Sequence, residues 1–463
     1  MKSIRFPLPL LVALAISFIP ITRVGAQTFT TLANFNYNDG SEPRYGSLVQ
    51  ATDGNYYGTT NYGGKNGSGA IFKVTPTGRL TAIYSFCSQA NCADGASPWS
   101  APVLGSDGNL YGTAYVGGSE FGAIFKINLR GVFTKLYTFC PSLGCTDGAF
   151  PVGLMQASNG VFYGATNGYG ADNEGTLFEI SSAGKFKSLY SFCSESNCAD
   201  GAQPLSGPVQ ANNGNLYGTT NYGGAQNYGT VYELTPTGQF KTLYSFCSLA
   251  NCADGSYPFG ALSQAADGKL YGTTNTGGAN GAGTVFEITT TGELMTLYSF
   301  DGTVGGYPIS APVQASDGNL YGVTSANDLG GATIYEITSA GVFSTLDSFC
   351  STSNCIAGSP LDRLAQVTNG EFIGTTYSGG KANYGTIYSF STGLGPLVET
   401  GAHRGQDGQA RHHPGQRPNR LRPASRSTAQ RQHSPWSRTQ KSPRRFPRAR
   451  PPAQSPSTHL PER

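Results

Sequence analysis

The sequence predicts an all-β chain folded as a seven-bladed β-propeller of four-stranded antiparallel blades, and three observations predict it. A Tyr-Gly element or a variant of it recurs with gaps of 50 to 54 residues, at Gly58, Gly112, Gly164, Gly218, Gly272, Gly322 and Gly374. Each copy holds four short segments rich in Phe, Tyr, Val, Ile and Thr, which favour strands. Gly and Pro recur too often for long helices. A β-solenoid is the alternative, but its coils are usually shorter.

The fourth copy departs least from the common pattern, and we expect its strands at 207–211, 215–221, 229–235 and 239–246. Asn213-Gly214 separates the first two strands, and Asp-Gly or Asn-Gly stands there in every copy, as in tight hairpins. A longer Gly-Gly loop follows the second strand. A bulged turn with a glycine follows the third strand. Loops after the second and fourth strands of a blade leave on the same face, so we expect them to share one rim.

The seventh copy predicts how the ring closes. It supplies strands at 361–368, 371–376 and 385–391 but no fourth strand. Residues 28–35 match the fourth strand of the other copies and precede the first complete copy. Pairing this N-terminal strand with the last blade would remove two open sheet edges.

The first 26 residues predict a signal peptide, with Lys2 and Arg5, an apolar run at 8–21 and Val24-Gly25-Ala26 before the expected cleavage point. An uncleaved membrane anchor is the alternative. We expect a protein that is secreted or held in the cell envelope, monomeric, and without a transmembrane span after cleavage. We assign residues 27–400 to the propeller.

Residues 401–463 predict a disordered, basic, Pro- and Arg-rich tail. They carry 13 Arg and one Lys against two acidic residues, a net charge of +12 within a chain total of +3. With Lys2, Arg5 and Arg23 set aside, residues 27–400 therefore carry −12, which argues against nucleic acid as a partner. The tail is either an arm for anionic surfaces or the product of a reading-frame change.

All ten cysteines fall in five Cys-x4-Cys pairs after the fourth strand: Cys87 and Cys92, Cys140 and Cys145, Cys193 and Cys198, Cys247 and Cys252, Cys350 and Cys355. In an exported protein this spacing predicts a disulfide within each loop. A zinc site is the weaker alternative for these cysteines, and a calcium site is the weaker alternative for the aspartates that follow them. The aspartates that follow are expected to form turns: Asp94, Asp147, Asp200 and Asp254.

The propeller sequence contains no histidine, because all five histidines lie in the tail, and this excludes Ser-His-Asp and Cys-His catalysis there. Four glutamates recur at one blade position and are interpreted as structural: Glu179, Glu233, Glu287 and Glu336. Other acids break the repeat and remain to be inspected: Glu42, Glu120, Asp172, Glu174, Asp328 and Asp362. We assign no catalytic residue, no metal ligand and no cofactor.

Aromatic residues near the Gly-Gly elements are the candidate ligand contacts, since such rings stack on sugars or hold an extended peptide: Tyr62, Tyr115, Tyr169, Tyr222, Tyr228 and Tyr384. The alternative is that these tyrosines only pack between loops. The tyrosine of each Tyr-Gly element is expected in the core. Its glycine is expected to let neighbouring blades approach closely.

The pattern of residues 215–246, with Asn-Leu-Tyr-Gly-Thr-Thr, Gly-Gly, Gly-Thr-Val-Tyr and Thr-Leu-Tyr-Ser-Phe, resembles the bacterial GloVer tandem repeats, and the match covers residues 28–391. The resemblance implies an exported protein and brings no catalytic residues with it. Our hypothesis is a non-enzymatic binding or scaffold propeller, whose partner at the disulfide-loop rim is a glycan or an extracellular protein. The alternative is a carbohydrate-active enzyme that uses carboxylates.

Overall fold

A computed structural model describes residues 27–396, apart from 46, 119, 142–143, 304, 326–330, 339 and 350–357. These all belong to the first of two compact units, residues 1–410. The predicted signal peptide, the predicted tail, Asp328 and the pair Cys350 and Cys355 lie outside the described residues.

Seven antiparallel sheets form the seven predicted blades. Blade 1 consists of Val49–Gln50, Tyr56–Thr60, Ala70–Val74 and Leu80–Ser85, and blade 2 consists of Val103–Leu104, Leu110–Ala114, Ala123–Ile127 and Phe133–Thr138. Blade 3 consists of Ala149–Gln156, Phe162–Gly168, Thr176–Ile180 and Phe186–Ser191. Blade 4 consists of Val209–Gln210, Leu216–Thr220, Thr230–Leu234 and Phe240–Ser245. Blade 5 consists of Ser256–Pro258, Ser263–Gln264, Leu270–Thr276, Thr284–Ile288 and Leu294–Ser299. Blade 6 consists of Val313–Gln314, Leu320–Val323, Thr333–Ile337 and Phe343–Ser348. Blade 7 consists of Ala365–Gln366, Phe372–Thr376, Thr386–Ser391 and the N-terminal strand Thr28–Asn34.

The ring closes as predicted. Thr28–Asn34 pairs antiparallel with Thr386–Ser391, from Thr28 opposite Ser391 to Asn34 opposite Thr386. A glutamine of the innermost strand adds a second tie between blades, because Gln50 Oε1 of blade 1 accepts the Thr368 N–H of blade 7. Equivalent bonds are accepted by Gln156, Gln210, Gln264, Gln314 and Gln366. In blade 2 the position is Leu104.

Aromatic rings fill the space between blades. A tyrosine of the fourth strand stacks on the phenylalanine that begins the fourth strand of the next blade, with nearly parallel rings 3.8 Å apart for Tyr190 and Phe240 and 4.1 Å apart for Tyr84 and Phe133. Buried clusters accordingly draw residues from two adjacent blades. The same stack occurs at four interfaces, whereas the fourth strand of blade 5 begins with Leu294 in place of the phenylalanine.

The glycine of each Tyr-Gly element serves its own blade, which corrects the expectation from the sequence. A Cβ on Gly112 would lie 2.5 Å from the ring of Phe125 in the same blade. The glycine that lets neighbouring blades approach is a different one, just before the third strand. A Cβ on Gly229 would lie 2.6 Å from Cδ of Pro258 in the next blade.

The tight turns after the first and third strands form what we call the hairpin-turn face. There the tyrosine of Tyr-Gly, buried as predicted, donates its hydroxyl to the aspartate of the first turn, as Tyr57 does to Asp53 at 2.7 Å. The recurring glutamates join this network, and Glu233 accepts a hydrogen bond from Tyr217 at 2.9 Å. These contacts support the structural interpretation of the glutamates.

Candidate functional site

The opposite face carries the loops after the second and fourth strands, and we call it the disulfide face. As expected, the Gly-Gly loops and the cysteine loops share this rim. The N–H of Gly118 donates to the carbonyl of Cys92 at 2.8 Å, and the N–H of Gly224 donates to the carbonyl of Cys198 at 2.9 Å. Among the described loops, the two loop types are therefore joined to each other by hydrogen bonds.

Four of the five predicted disulfides are present, each within its own loop: Cys87–Cys92, Cys140–Cys145, Cys193–Cys198 and Cys247–Cys252. A short 3₁₀ helix such as Ala90–Cys92 lies inside three of these loops. The following aspartate holds the loop together. Asp94 is fully buried and accepts hydrogen bonds from Tyr84, Ser88 and Gln89. Burial alone would raise the pKa of Asp94, but these hydrogen bonds together hold that pKa below its ordinary value.

Two blades meet on this face at what we call a seam. There, one residue of each blade joins a residue of the other through a backbone hydrogen bond, and we call the two residues a seam pair. The residue before the proline that leads into the first strand has a left-handed backbone, with φ of 55° at Tyr257. Its N–H donates to the carbonyl of the residue two positions before the third strand of the preceding blade, as from Tyr257 to Tyr228 at 2.9 Å. The same bond and the same positive φ occur at six seams, through Glu42, Ser97, Phe150, Gln203, Tyr257 and Tyr307.

The side chains of these seam pairs differ from seam to seam although their backbone bonds repeat. The pair is Tyr228 with Tyr257 at the seam of blades 4 and 5, with ring centroids 5.1 Å apart. At the seam of blades 3 and 4, Gln203 donates to Glu174 at 2.9 Å. At other seams the pairs are Phe121 with Phe150, Ser68 with Ser97, and Tyr384 with Glu42. A non-glycine residue at positive φ carries strain, which is commonly kept where a side chain must be presented.

Aromatic side chains also meet across the centre of the ring on this face. Tyr45 of blade 1 lies 5.1 Å from Phe259 of blade 5 and stacks on Trp99 of blade 2 at 4.6 Å. Blades 1 and 5 are not neighbours in either direction around the ring, so the contact between Tyr45 and Phe259 must cross the axis. These three rings lie at the mouth of the central channel.

From Trp99 the stacked rings continue outward between blades 2 and 3. Trp99 stacks on Tyr115 at 4.8 Å, and Tyr115 stacks on Phe150 at 5.2 Å. Tyr115 replaces the asparagine of other blades, such as Asn221, which donates to the carbonyl of Pro258. Because the rings in this run cover each other's faces, they offer mainly their edges to a ligand.

A charged group adjoins Tyr45 at the seam of blades 7 and 1. Arg44 pairs with Glu42 at 2.6 Å, and its guanidinium lies 5.0 Å from the centre of the Tyr377 ring. Burial raises the pKa of Tyr45, and the nearby Arg44 acts in the opposite direction. Tyr45 therefore keeps its hydroxyl proton at neutral pH and remains a hydrogen-bond donor.

The six tyrosines predicted as ligand contacts all lie on the disulfide face, but not in one cluster. Tyr222 and Tyr228 meet around Tyr257. Tyr115 and Tyr169 belong to the run of rings between blades 2 and 3. Tyr384 lies beside Tyr37, and Tyr62 is 46% exposed. Ligand binding by these six residues stays a prediction.

The acids that break the repeat differ in their surroundings. Glu42 is held by Arg44, the buried Asp362 accepts a hydrogen bond from Thr375, and Glu174 accepts one from Gln203. Glu120 and Asp172 are exposed. Within residues 27–396 as described, no group of three or more His, Cys, Asp or Glu side chains has the arrangement of a metal site.

Sequence reasoning missed Arg44, Tyr45, Trp99 and Phe259, which form the centre of this face. The sequence does contain a sign of them, because these residues depart from the repeat at the two positions after the proline that leads into the first strand. Other blades have Leu205 or Ile309 directly after that proline. Their convergence, however, depends on contacts across the ring, which no local motif contains.

A family model described as the Gloeobacter/Verrucomicrobia repeat matches residues 19–199 and 194–388. Among curated proteins, none matches the chain at a significant level. In the portion that the structure describes, we find no helix with the length and hydropathy to span a bilayer.

Solved structures share the fold at low identity. The extracellular domain of a protein described as a hybrid two-component system from B. thetaiotaomicron has a TM-score of 0.50 and 11% identity, and the match covers 78% of this chain. This chain spans only 39% of that structure's length. A polysaccharide lyase bound to an oligosaccharide has a TM-score of 0.48 and 10% identity, with 76% of this chain and 94% of the lyase covered. At such identity the likeness shows the propeller fold alone.

Proposed function

The chain belongs to the Gloeobacter/Verrucomicrobia repeat family, and we propose that its propeller is an extracellular, non-enzymatic module that binds a glycan on the disulfide face. The observation that carries the proposal is the seam pair. Its backbone bond and positive φ repeat at six seams, while its side chains vary. A scaffold with a constant backbone and variable side chains is how repeat proteins build binding surfaces.

The location outside the cytoplasm is supported by the disulfides. Four bonds close short loops on one face, and such bonds persist in oxidising compartments. The predicted signal peptide agrees with this location.

The choice of a glycan rests on side-chain chemistry. Tyr222 and Tyr384 are 39% and 36% exposed on this face, and amphipathic aromatic rings of this kind contact the apolar faces of sugars. A carbohydrate-active enzyme would need two available carboxylates at the reacting bond. Of the acids nearest to Tyr45, Glu42 is in an ion pair and Asp362 is buried, which supports binding over hydrolysis at that point.

A test is to apply the full secreted chain to an array of neutral and acidic polysaccharides and of envelope proteins, and to assay each bound glycan for release of reducing or unsaturated sugar. We expect saturable binding to a glycan with no product. Product release would replace the proposal by the enzymatic alternative. Binding to protein only would show that the partner class is wrong.

A further inference from the structure

Side chains on the disulfide face line a path across the ring, from the seam of blades 7 and 1, through the channel mouth, to the seam of blades 4 and 5. We call this path the aromatic track, and it consists of Tyr384, Arg44, Tyr45, Phe259, Tyr257 and Tyr222. Its middle is continuous, since Tyr45 contacts Phe259 across the axis at 5.1 Å. Its two ends are exposed tyrosines on opposite sides of the ring.

Each half of the track is held by contacts already described. At one end, the Glu42 N–H donates to the carbonyl of Tyr384 at 3.1 Å, and Glu42 then fixes Arg44. At the other end, Tyr257 contacts the ring of Tyr222 at 5.6 Å and lies two residues before Phe259. The side chains are therefore positioned before any ligand arrives, which lowers the cost of binding.

Two buried N–H groups near the centre have no hydrogen-bond partner within the described protein. They are Nε of Arg44 and Nε1 of Trp99, on two side chains that break the repeat. Both groups can only donate, and a buried donor requires an acceptor. Because both atoms are buried, a ligand oxygen reaches them only if a covering side chain moves aside.

The net charge of the propeller indicates which class of glycan fits the track. Residues 27–400 carry a net charge of −12, and the Arg44–Glu42 pair adds no net charge to the track. A surface of this sign disfavours association with polyanions. A chain of uronate or sulfated sugars is therefore a poor match, whereas an uncharged polysaccharide meets no electrostatic penalty.

We infer that the aromatic track binds an extended segment of a neutral polysaccharide, with several consecutive sugar units lying across the channel mouth between Tyr384 and Tyr222. This inference rests on the proposed function and adds the ligand class and the path. Val132 provides a control. It is 63% exposed in the tight turn after the third strand of blade 2, on the hairpin-turn face, and it is not one of the candidate ligand contacts.

The test uses affinity electrophoresis and calorimetry to measure binding of the full chain to soluble neutral β-glucan, xylan and mannan, and to polygalacturonate as the acidic probe. The variants Tyr222→Ala and Tyr384→Ala should each weaken binding of a neutral polysaccharide by about tenfold. Val132→Ala, on the hairpin-turn face, should leave that binding unchanged. Oligosaccharides of increasing length should bind more tightly until they reach both ends of the track.

Other results distinguish failure of the aromatic track from failure of glycan binding as a whole. Equal losses in all three variants, a preference for polygalacturonate that Tyr222→Ala and Tyr384→Ala abolish, or full affinity for a disaccharide would overturn the track while leaving glycan binding intact. Failure of the wild-type chain to bind any polysaccharide would overturn both. Thermal melts of the three variants, which remove exposed side chains, check that each one is folded.

Discussion

On the hairpin-turn face the side chains that make hydrogen bonds repeat from blade to blade, whereas at the seams of the disulfide face only the backbone bonds repeat. Tyr57 and Asp53 of blade 1 are matched by Tyr321 and Asp317 of blade 6, with nearly equal distances of 2.7 and 2.8 Å. At the seams, in contrast, Tyr257 and Gln203 occupy one position with the same backbone bond. The comparison separates side chains that hold a blade from those that are presented on its surface.

The largest effect should come from breaking a constant element inside the disulfide face. Asp200 is fully buried and accepts hydrogen bonds from Tyr190, from the Ser194 backbone and side chain, and from Glu195 N–H. The Asp200→Ala variant leaves several of these donors unpaired, and we expect it to lower the free energy of unfolding by about 3 kcal/mol. Chemical denaturation measures this change.

The matched control is Glu195→Ala, because Glu195 is an exposed carboxylate in the same loop. Its removal should change the free energy of unfolding by less than about 0.5 kcal/mol. Equal effects of the two substitutions would mean that Asp200 acts by charge rather than through its hydrogen bonds.

A smaller effect should follow from opening one disulfide while its aspartate remains. We expect the double variant Cys193→Ala, Cys198→Ala to lose about 2 kcal/mol, because closing so short a loop removes only a modest amount of entropy from the unfolded chain. Calorimetric melting of this variant beside the wild type measures the loss. A loss larger than that of Asp200→Ala would mean that the disulfide stabilises the protein more than the buried carboxylate does.

The smallest effect should be seen at presented side chains. Tyr222→Ser should change stability by less than about 0.5 kcal/mol, since Tyr222 is 39% exposed. Tyr217→Phe on the hairpin-turn face should cost about 1 kcal/mol, because it removes the hydroxyl that bonds to Glu233. If parallel urea titrations gave the opposite order, the division between constant and presented side chains would be wrong.

Most of the fold could be predicted because it depends on local signals that recur. The Asn213-Gly214 turn and the Gly-Gly loop place three of the four strands of blade 4 within one residue of the predicted ends. The first strand is shorter than predicted, Val209–Gln210 instead of 207–211. Gly207 there approaches Gly153 of the preceding blade instead of pairing in its own sheet.

The candidate site was less predictable because it is assembled from different positions in different blades. Tyr222 and Tyr384 adjoin Gly-Gly motifs and were found from them. Tyr45 and Phe259 belong to no motif, and they meet only because the closed ring brings two distant blades to its axis. A repeat alignment can show that such residues are unusual but cannot supply the distance between them.

The closure by Thr28–Asn34 has a consequence for how the protein is made. The strand that completes the last blade is synthesised first, and its partner Thr386–Ser391 is synthesised last among the strands. Until both have been released, the two edges that they cover are open to pairing with other chains. These edges therefore stay unpaired through nearly all of the synthesis of the chain, and an early stop or a lost first strand yields an open, aggregation-prone arc instead of a smaller ring.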